Sequence, residues 1–409
     1  MRRASITGHV LLAVALLAAP TTALAGQDTG TKVDASRGGV TFSSGPNSLT
    51  IGARVQVRWM LDAREEADAD LIGEGVGRKD GLLTQFDVPR MRVSLSGGVY
   101  RPWLRYAFQF DFSRTGGLGS SKIKDAIIEI RPVDRDYRIQ MGQFKAPFGL
   151  QQLVSSARQQ FVDRAITDGK FTPGRDVGVM LGGTIVDERV GYQAGLFNGA
   201  GESALQTAGA PLVVGRVFYQ PIGAYALSEG ATDAPDNAAL HVGLAARTGR
   251  QIRGRTAPGV VESADNQTAI GAEFAYRRPR FHTTAEYFWM TEDVRNPTPG
   301  PDLDSRGFHA QAGYMIVPRT TELGVRFAAV DPDTDADDAG VREIRGVVGY
   351  FWQGHNLKLQ ADIGQLRYGA GYGTLSARAR AGLPLLGSRL VSRQALADTQ
   401  FRVQMQVGF

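Results

Sequence analysis

The residues best equipped for chemistry are arginines on alternating segments. Arg54 and Arg58 flank Gln56 in one segment, Arg90 and Arg92 precede Ser94 and Ser96 in a second, and Arg105 precedes Gln109 and Asp111 in a third. A strand sends successive side chains to opposite faces, so each segment carries its arginines on one polar face. Arg138 falls on the equivalent face of a later segment. The planar guanidinium fork matches the oxygens of carboxylate and phosphate. Neighbouring segments of this kind would stack their arginines into a basic stripe for anions. The competing reading is wall-stiffening, with Arg105 neutralising Asp111 and Arg131 neutralising Glu129, each pair contributing little. A second basic group falls in a connector: Lys145, Arg158, Arg164, Lys170 and Arg175, against Asp163, Asp168 and Asp176.

Catalytic signatures are absent. There is no Gly-x-Ser-x-Gly, no His-Glu-x-x-His and no Gly-x-x-x-x-Gly-Lys. The five histidines are scattered, and no His–acid pair with a serine suggests a lipase. Asp331, Asp333, Asp335, Asp337 and Asp338 resemble a calcium loop, but the required glycine is missing and Glu343 is wrongly spaced. A solvated acidic loop is expected instead. No enzyme activity, metal, cofactor or nucleic-acid partner is expected.

The elements that would hold the arginines are strands. From Leu49 onward, about sixteen alternating segments recur, with lengths near those of tilted membrane strands. Leu104, Tyr106, Phe108, Phe110 and Phe112 share one face of the cleanest internal segment. Gln400 to Phe409 alternates to its last residue, and the terminal aromatic Phe409 is read as an assembly signal. One face suits hydrocarbon and the other water, which is the pattern of a transmembrane antiparallel β-barrel. No segment after the first 25 residues has 18 consecutive apolar residues, which excludes membrane helices, and the absence of cysteine leaves stability to the closed ladder.

Residues 1–25 read as a signal peptide, with Arg2 and Arg3 before an apolar core and Ala23-Leu24-Ala25 as cleavage pattern. Residues 26–48 read as a periplasmic leader with little periodicity, and 49–409 as the barrel. Short and long connectors alternate, except that 220–239 is long where a short turn is due. Aromatics such as Trp59, Tyr100, Trp103, Tyr219 and Trp289 gather where segments end, as interfacial rings do. Only seven lysines accompany the arginines, which fits a GC-rich genome as well as an anion path.

The third long connector breaks the strand rhythm. Leu150, Leu153, Val154, Ala157 and Phe161 recur at helical spacing. A short amphipathic helix there needs an apolar surface; folding into the lumen against one wall patch would provide one and narrow the channel, and a helix lying on top of the barrel is the alternative.

Gly142-Gln143-Phe144-Lys145-x-Pro147-Phe148-Gly149-Leu150, followed by Leu153-Val154-Ser155-Ser156, resembles the phosphate-selective porin O and P family. Gly195-Leu196-Phe197-Asn198-Gly199 and Glu322-Leu323-Gly324-Val325-Arg326-Phe327 are similar to further phrases of that family. The resemblance implies a trimeric sixteen-stranded outer-membrane porin with an inward third loop. It implies passive uptake of small anions, with phosphate or polyphosphate as candidate solutes. A general or organic-anion channel of weak ion choice is the alternative, because the dense loop-lysine cluster of phosphate-specific members is not visible. Outer-membrane lipids and the barrel assembly machinery are the implied partners.

Overall fold

The fold, given by a computed structural model, is described for residues 30–35, 39–65, 81–113, 122–204, 210–232, 237–252, 264–293, 300–384, 386 and 393–409. The expected export segment 1–25 lies outside the described residues.

Two short strands come first, β1 (Lys32–Asp34) and β2 (Val40–Ser44). The barrel follows: β3 (Asn47–Arg64), β4 (Leu82–Val99), β5 (Arg101–Asp111), β6 (Lys122–Ile130), β7 (Tyr137–Lys145) and β8 (Arg175–Ile185). It continues with β9 (Val190–Phe197), β10 (Leu212–Tyr219), β11 (Ala239–Ile252), β12 (Ala264–Arg278) and β13 (Phe281–Asp293). The last strands are β14 (Leu303–Val317), β15 (Thr321–Asp331), β16 (Val341–Gln353), β17 (Leu357–Tyr368) and β18 (Leu396–Gly408). Each barrel strand pairs antiparallel with the next. β18 then pairs with β3, from Asp398 opposite Arg64 to Gly408 opposite Arg54, and the sixteen strands close. Closure leaves no sheet edge between β3 and β18, so the backbone groups that hydrocarbon cannot solvate are paired.

β15 shows the alternation that makes this possible. Leu323, Val325 and Phe327 are 47%, 66% and 40% exposed on the outer face, while Glu322 and Arg326 are buried on the other. No described helix is long and apolar enough to cross a membrane.

Residues 26–48, expected to lack periodic structure, contain the β1–β2 hairpin. Its cause is local. β18 stops opposite Arg54, and β2 takes up the exposed edge of β3 just beyond, with Val40 opposite Ile51. Strands also run further than hydrophobic alternation suggests. β3 reaches Arg64 and β4 starts at Leu82, because backbone pairing continues after the apolar face ends.

Connectors at one end of the barrel are short: Tyr100 alone joins β4 to β5, and residues 279–280 join β12 to β13. Those at the other end are long, including 146–174 between β7 and β8. The connector 220–238 belongs to the short end and is long. The strand count therefore does not slip there; the turn itself is extended.

The two halves of the wall differ. Along β13 to β18 the polar-face residues are mostly buried and alternate with half-exposed or exposed ones, Gln400 on β18 being half-exposed. On β4 to β7 polar-face residues such as Arg90, Arg92, Gln109 and Gln140 stay half-exposed.

Candidate functional site

The family-like motif at the end of β7 anchors the third long connector. Gly142 has φ +117, and a Cβ there would sit 2.0 Å from the Ala126 carbonyl oxygen, so only glycine fits this close approach to β6. Gln143 donates from Nε2 to the carbonyls of Ile123 (2.6 Å) and Lys124 (3.1 Å) and accepts the Ser203 N–H at 2.6 Å. Phe144 packs edge-on against Phe197, and Phe148 is buried beside Phe288. Pro147 lies between them in the chain and leads into Gly149, where φ is +85.

After Gly149 the connector forms α1 (Leu150–Leu153) and later α2 (Ile166–Phe171). The helical spacing through Phe161 thus yields only one turn. The remaining backbone is held by wall side chains instead. Glu286 on β13 accepts the N–H groups of Leu150 and Gln151 at 2.5 and 2.8 Å. Asp362 on β17 accepts Val162 N–H, and Glu343 on β16 accepts Ile166 N–H, both at 3.2 Å. Lys358 and Gln360 donate to the Gln159 carbonyl at 2.8 and 3.1 Å, and Arg326 donates to that of Asp163 at 2.8 Å. Backbone groups taken from water need such partners.

The connector 220–238 meets the same segment. Glu229, 1% exposed, accepts the Gln160 N–H at 2.8 Å and Gln151 Nε2 at 2.9 Å. Its own N–H donates to the Arg158 carbonyl, and its carbonyl lies 3.0 Å from His355 Nε2. Ala231 N–H donates to Glu322, and Tyr225 Oη lies 2.9 Å from His282. Burial pushes the Tyr225 hydroxyl above its ordinary range, so it stays protonated.

The basic residues form three overlapping groups, with Arg90, Lys145 and Arg164 each shared by two. In the first, Arg58, Arg90 and Arg402 converge on Asp163 at 2.6, 3.2 and 3.1 Å, and Arg58 also pairs with Asp87. Burial opposes ionisation of Asp163, but the guanidiniums of Arg402, Arg90 and Arg58 outweigh it and hold the carboxyl well below the usual carboxylate range. Arg402 continues through Asp362, Arg345 and Glu343 to Arg326, an alternating ladder with contacts of 2.6 to 3.0 Å.

In the second group the charge is turned to structure. Lys145 donates to the Leu153 and Val154 carbonyls at 3.2 and 3.0 Å, closing α1 back onto its strand. Arg164 donates to the carbonyls of Gln151 and Val154; burial depresses its pKa, with Asp168 opposing. Lys170 is buried and reaches the Ala379 carbonyl at 2.7 Å, away from the arginine stripe. Arg158 is exposed at the turn that meets Glu229.

The third group surrounds an open cavity of about 600 Å³ against β4 to β9. Arg90, Arg92, Lys124, Arg138, Lys145, Arg164 and Arg175 line it, against the carboxylates Asp125 and Glu202. Arg92 pairs with Asp111 at 2.7 Å, Arg175 grips Asp125 at 2.8 and 3.0 Å, and Lys124 pairs with Glu202 at 2.8 Å. Asp111 thus takes Arg92 rather than Arg105, while Arg131 does pair with Glu129 at 3.1 Å. Arg138 is the least committed, 3.7 Å from Glu129 and 36% exposed. A second cavity of about 290 Å³ at the short-turn end shares Arg138 and Gln193 with the first and adds Arg131 and Arg135.

Of the expected stripe, Arg54, Arg90 and Arg92 lie together. Arg54 stands opposite Arg92 across the β3–β4 pair, and both donate to Ser156 Oγ. Arg105 faces Glu129 in register and does not line the cavity. Arg175 lies on β8, not in the connector, and stands opposite Lys145. Phe409 continues the ladder by exchanging backbone bonds with Ala53, its ring exposed. Sequence reasoning missed Lys124, Glu229 and the Asp163 hub. The one signal for Glu229 was the extended turn that contains it.

A closed barrel with an apolar outside and a basic cavity inside is the architecture of an outer-membrane channel. A family profile described as phosphate-selective porin O and P matches residues 60–368, well over half of the chain, and the chain belongs to that family. Solved structures share the fold. An anion-selective porin from Comamonas acidovorans superposes with a TM-score of 0.57 at 13% identity, covering 88% of this chain and 99% of that one. The outer membrane channel DcaP of Acinetobacter baumannii gives 0.55 at 12%, covering 90% and 99%. The trimer form of OmpT, an outer membrane protein of Vibrio cholerae, gives 0.54 at 11%, covering 89% and 100%. No curated protein sequence matches the chain.

Proposed function

We propose that this porin passes small anions by diffusion along one side of its barrel, from the cavity against β4 to β9 to the short-turn end. The observation that carries this is the lining of that cavity, seven basic groups against two carboxylates. Low-dielectric walls focus such a field, and repeated weak contacts favour conduction over trapping. The third long connector, tied to Glu286, Glu343 and Asp362, fills the opposite half of the lumen and narrows the passage. Arg138, common to both cavities, is the relay between constriction and exit.

Most of the guanidiniums are already engaged by carboxylates, which favours modest anion preference over a tight phosphate site. Small anions in general, phosphate among them, are the solutes. The chain is exported through a cleaved leader and assembles as a homotrimer, as the OmpT trimer form supports by its shared fold. Swelling of proteoliposomes in isosmotic gluconate and glucosamine tests the reading. Faster swelling in the anion is expected; equal rates, or faster swelling in the cation, contradict it.

A further inference from the structure

We propose that the outer wall carries a binding site for a phosphorylated lipid headgroup, between Arg342 on β16 and Arg367 on β17. The proposal concerns the lipid-facing surface and is independent of what the lumen conducts.

Arg342 and Arg367 stand directly opposite each other across the β16–β17 pair, at the long-connector end. Both are exposed, and both share the outer face with Ile344 and Ile363, each more than half exposed. Like charges directly opposed on a sheet repel. Among the described residues no carboxylate bridges this pair. Among the described residues the Arg342 side chain makes no hydrogen bond or ion pair, and that of Arg367 donates only to Gln365 on its own strand at 2.6 Å. Among the described residues the opposed pair therefore lacks a counter-ion.

The flanking residues make room for one. In register across the sheet, the outer face reads Tyr287, Phe308, Ala329, Arg342, Arg367 and Ala397. Ala329 beside the arginine pair, together with Ala395 and the connector residues Ala336 and Ala339, lines a groove of about 640 Å³ floored by the ladder. Two acids enter it, and each is engaged. Asp331 pairs with Arg306 at 3.2 Å, and Asp338 accepts the Ala370 N–H at 2.9 Å.

The occupant must be anionic where the arginines stand and apolar below. Two adjacent guanidiniums match the oxygens of one phosphate monoester. Beneath the pair the outer face continues with Ile344 opposite Gln365 and then Ile363 opposite Gly346, where an acyl chain continues the same molecule into hydrocarbon. A charged side chain at the strand end costs little there, whereas at the midplane it is expensive. A free inorganic phosphate would use only the upper half of this surface.

Native mass spectrometry of the full chain released from detergent with dioleoyl phosphatidic acid or dioleoyl phosphatidylcholine tests the site. The wild type is expected to retain phosphatidic acid in about tenfold preference, as two charge-assisted contacts allow. The Arg342→Gln/Arg367→Gln double variant, altered only at exposed positions, should lose that preference while keeping its heat-modifiable gel mobility and oligomer mass. Equal retention of both lipids by the wild type, or unchanged preference in the variant, overturns the proposal. Displacement of the lipid by equimolar inorganic phosphate would assign the site to the free anion, and a drop in oligomer mass would assign the face to a second copy. Either result also overturns it.

Discussion

Glu286 accepts the backbone N–H of Leu150 across the barrel, at 2.5 Å and 136 positions away in sequence. The same carboxylate takes the Gln151 N–H at 2.8 Å. A four-residue helix with no side-chain cap of its own is thereby given one by the opposite wall.

Removing that acceptor should release the connector. Glu286→Ala leaves two buried donors unpaired, at a cost of about 2–4 kcal/mol. The expected result is faster amide exchange at Leu150 and Gln151 together with larger open-channel current noise. Unchanged exchange at both amides would mean that other wall contacts suffice.

Asp163 should set the acid limit of the third long connector. Its carboxyl is held below the ordinary value of about 4 by three guanidiniums. A carboxylate with a lowered native pKa stabilises fully above the unfolded value, and that stability is lost only as pH falls through the native one. The wild type should therefore keep its open-channel noise flat from neutrality down to about pH 4, the unfolded-state value. Asp163→Asn should be destabilised already at neutral pH, by about 2 kcal/mol in thermal unfolding, and should show higher anion preference because three arginines lose a counter-ion. A wild-type transition near pH 5–6 would contradict this assignment.

Glu229 ties the extended short-side turn to the third connector through Gln160 and Gln151. Glu229→Ala should free both segments and raise single-channel conductance, with the selectivity sign unchanged. An identical conductance would place the docked turn outside the rate-limiting section.

How far the sequence discloses this arrangement depends on the range of the interaction. The strands were legible because a period of two needs only near neighbours: Leu323, Val325 and Phe327 face lipid as their spacing says. Gly142 was legible as a motif, though not the Ala126 carbonyl that requires it. The internal shape of the connector was not. Leu150 through Phe161 has helical spacing, yet its backbone satisfies itself on Glu286, Lys358 and Gln360, contacts set by barrel closure. The same holds for the basic residues. Parity places Arg58 and Arg92 on the polar face, but only the closed barrel brings Asp163 to Arg58 and Asp111 to Arg92. Lys145, expected among the anion contacts, is spent on two carbonyls for the same reason.

Arg138 offers a cleaner reading of the path than Lys145 does. It lines both cavities, and its contact to Glu129 is long, so Arg138→Glu reverses a charge with little structural cost. Anion preference should fall about threefold, the scale of a charge reversal roughly 12 Å from a hydrated ion in water. Unchanged preference would move the path to the other side of the barrel.

The central claim is a lumen with an excess of fixed positive charge along its open side. The reversal potential of the purified porin in a planar bilayer under a KCl gradient tests it most directly. The account predicts the sign of chloride selectivity, shrinking toward zero as salt rises and screens the wall. A potential of the opposite sign would contradict it.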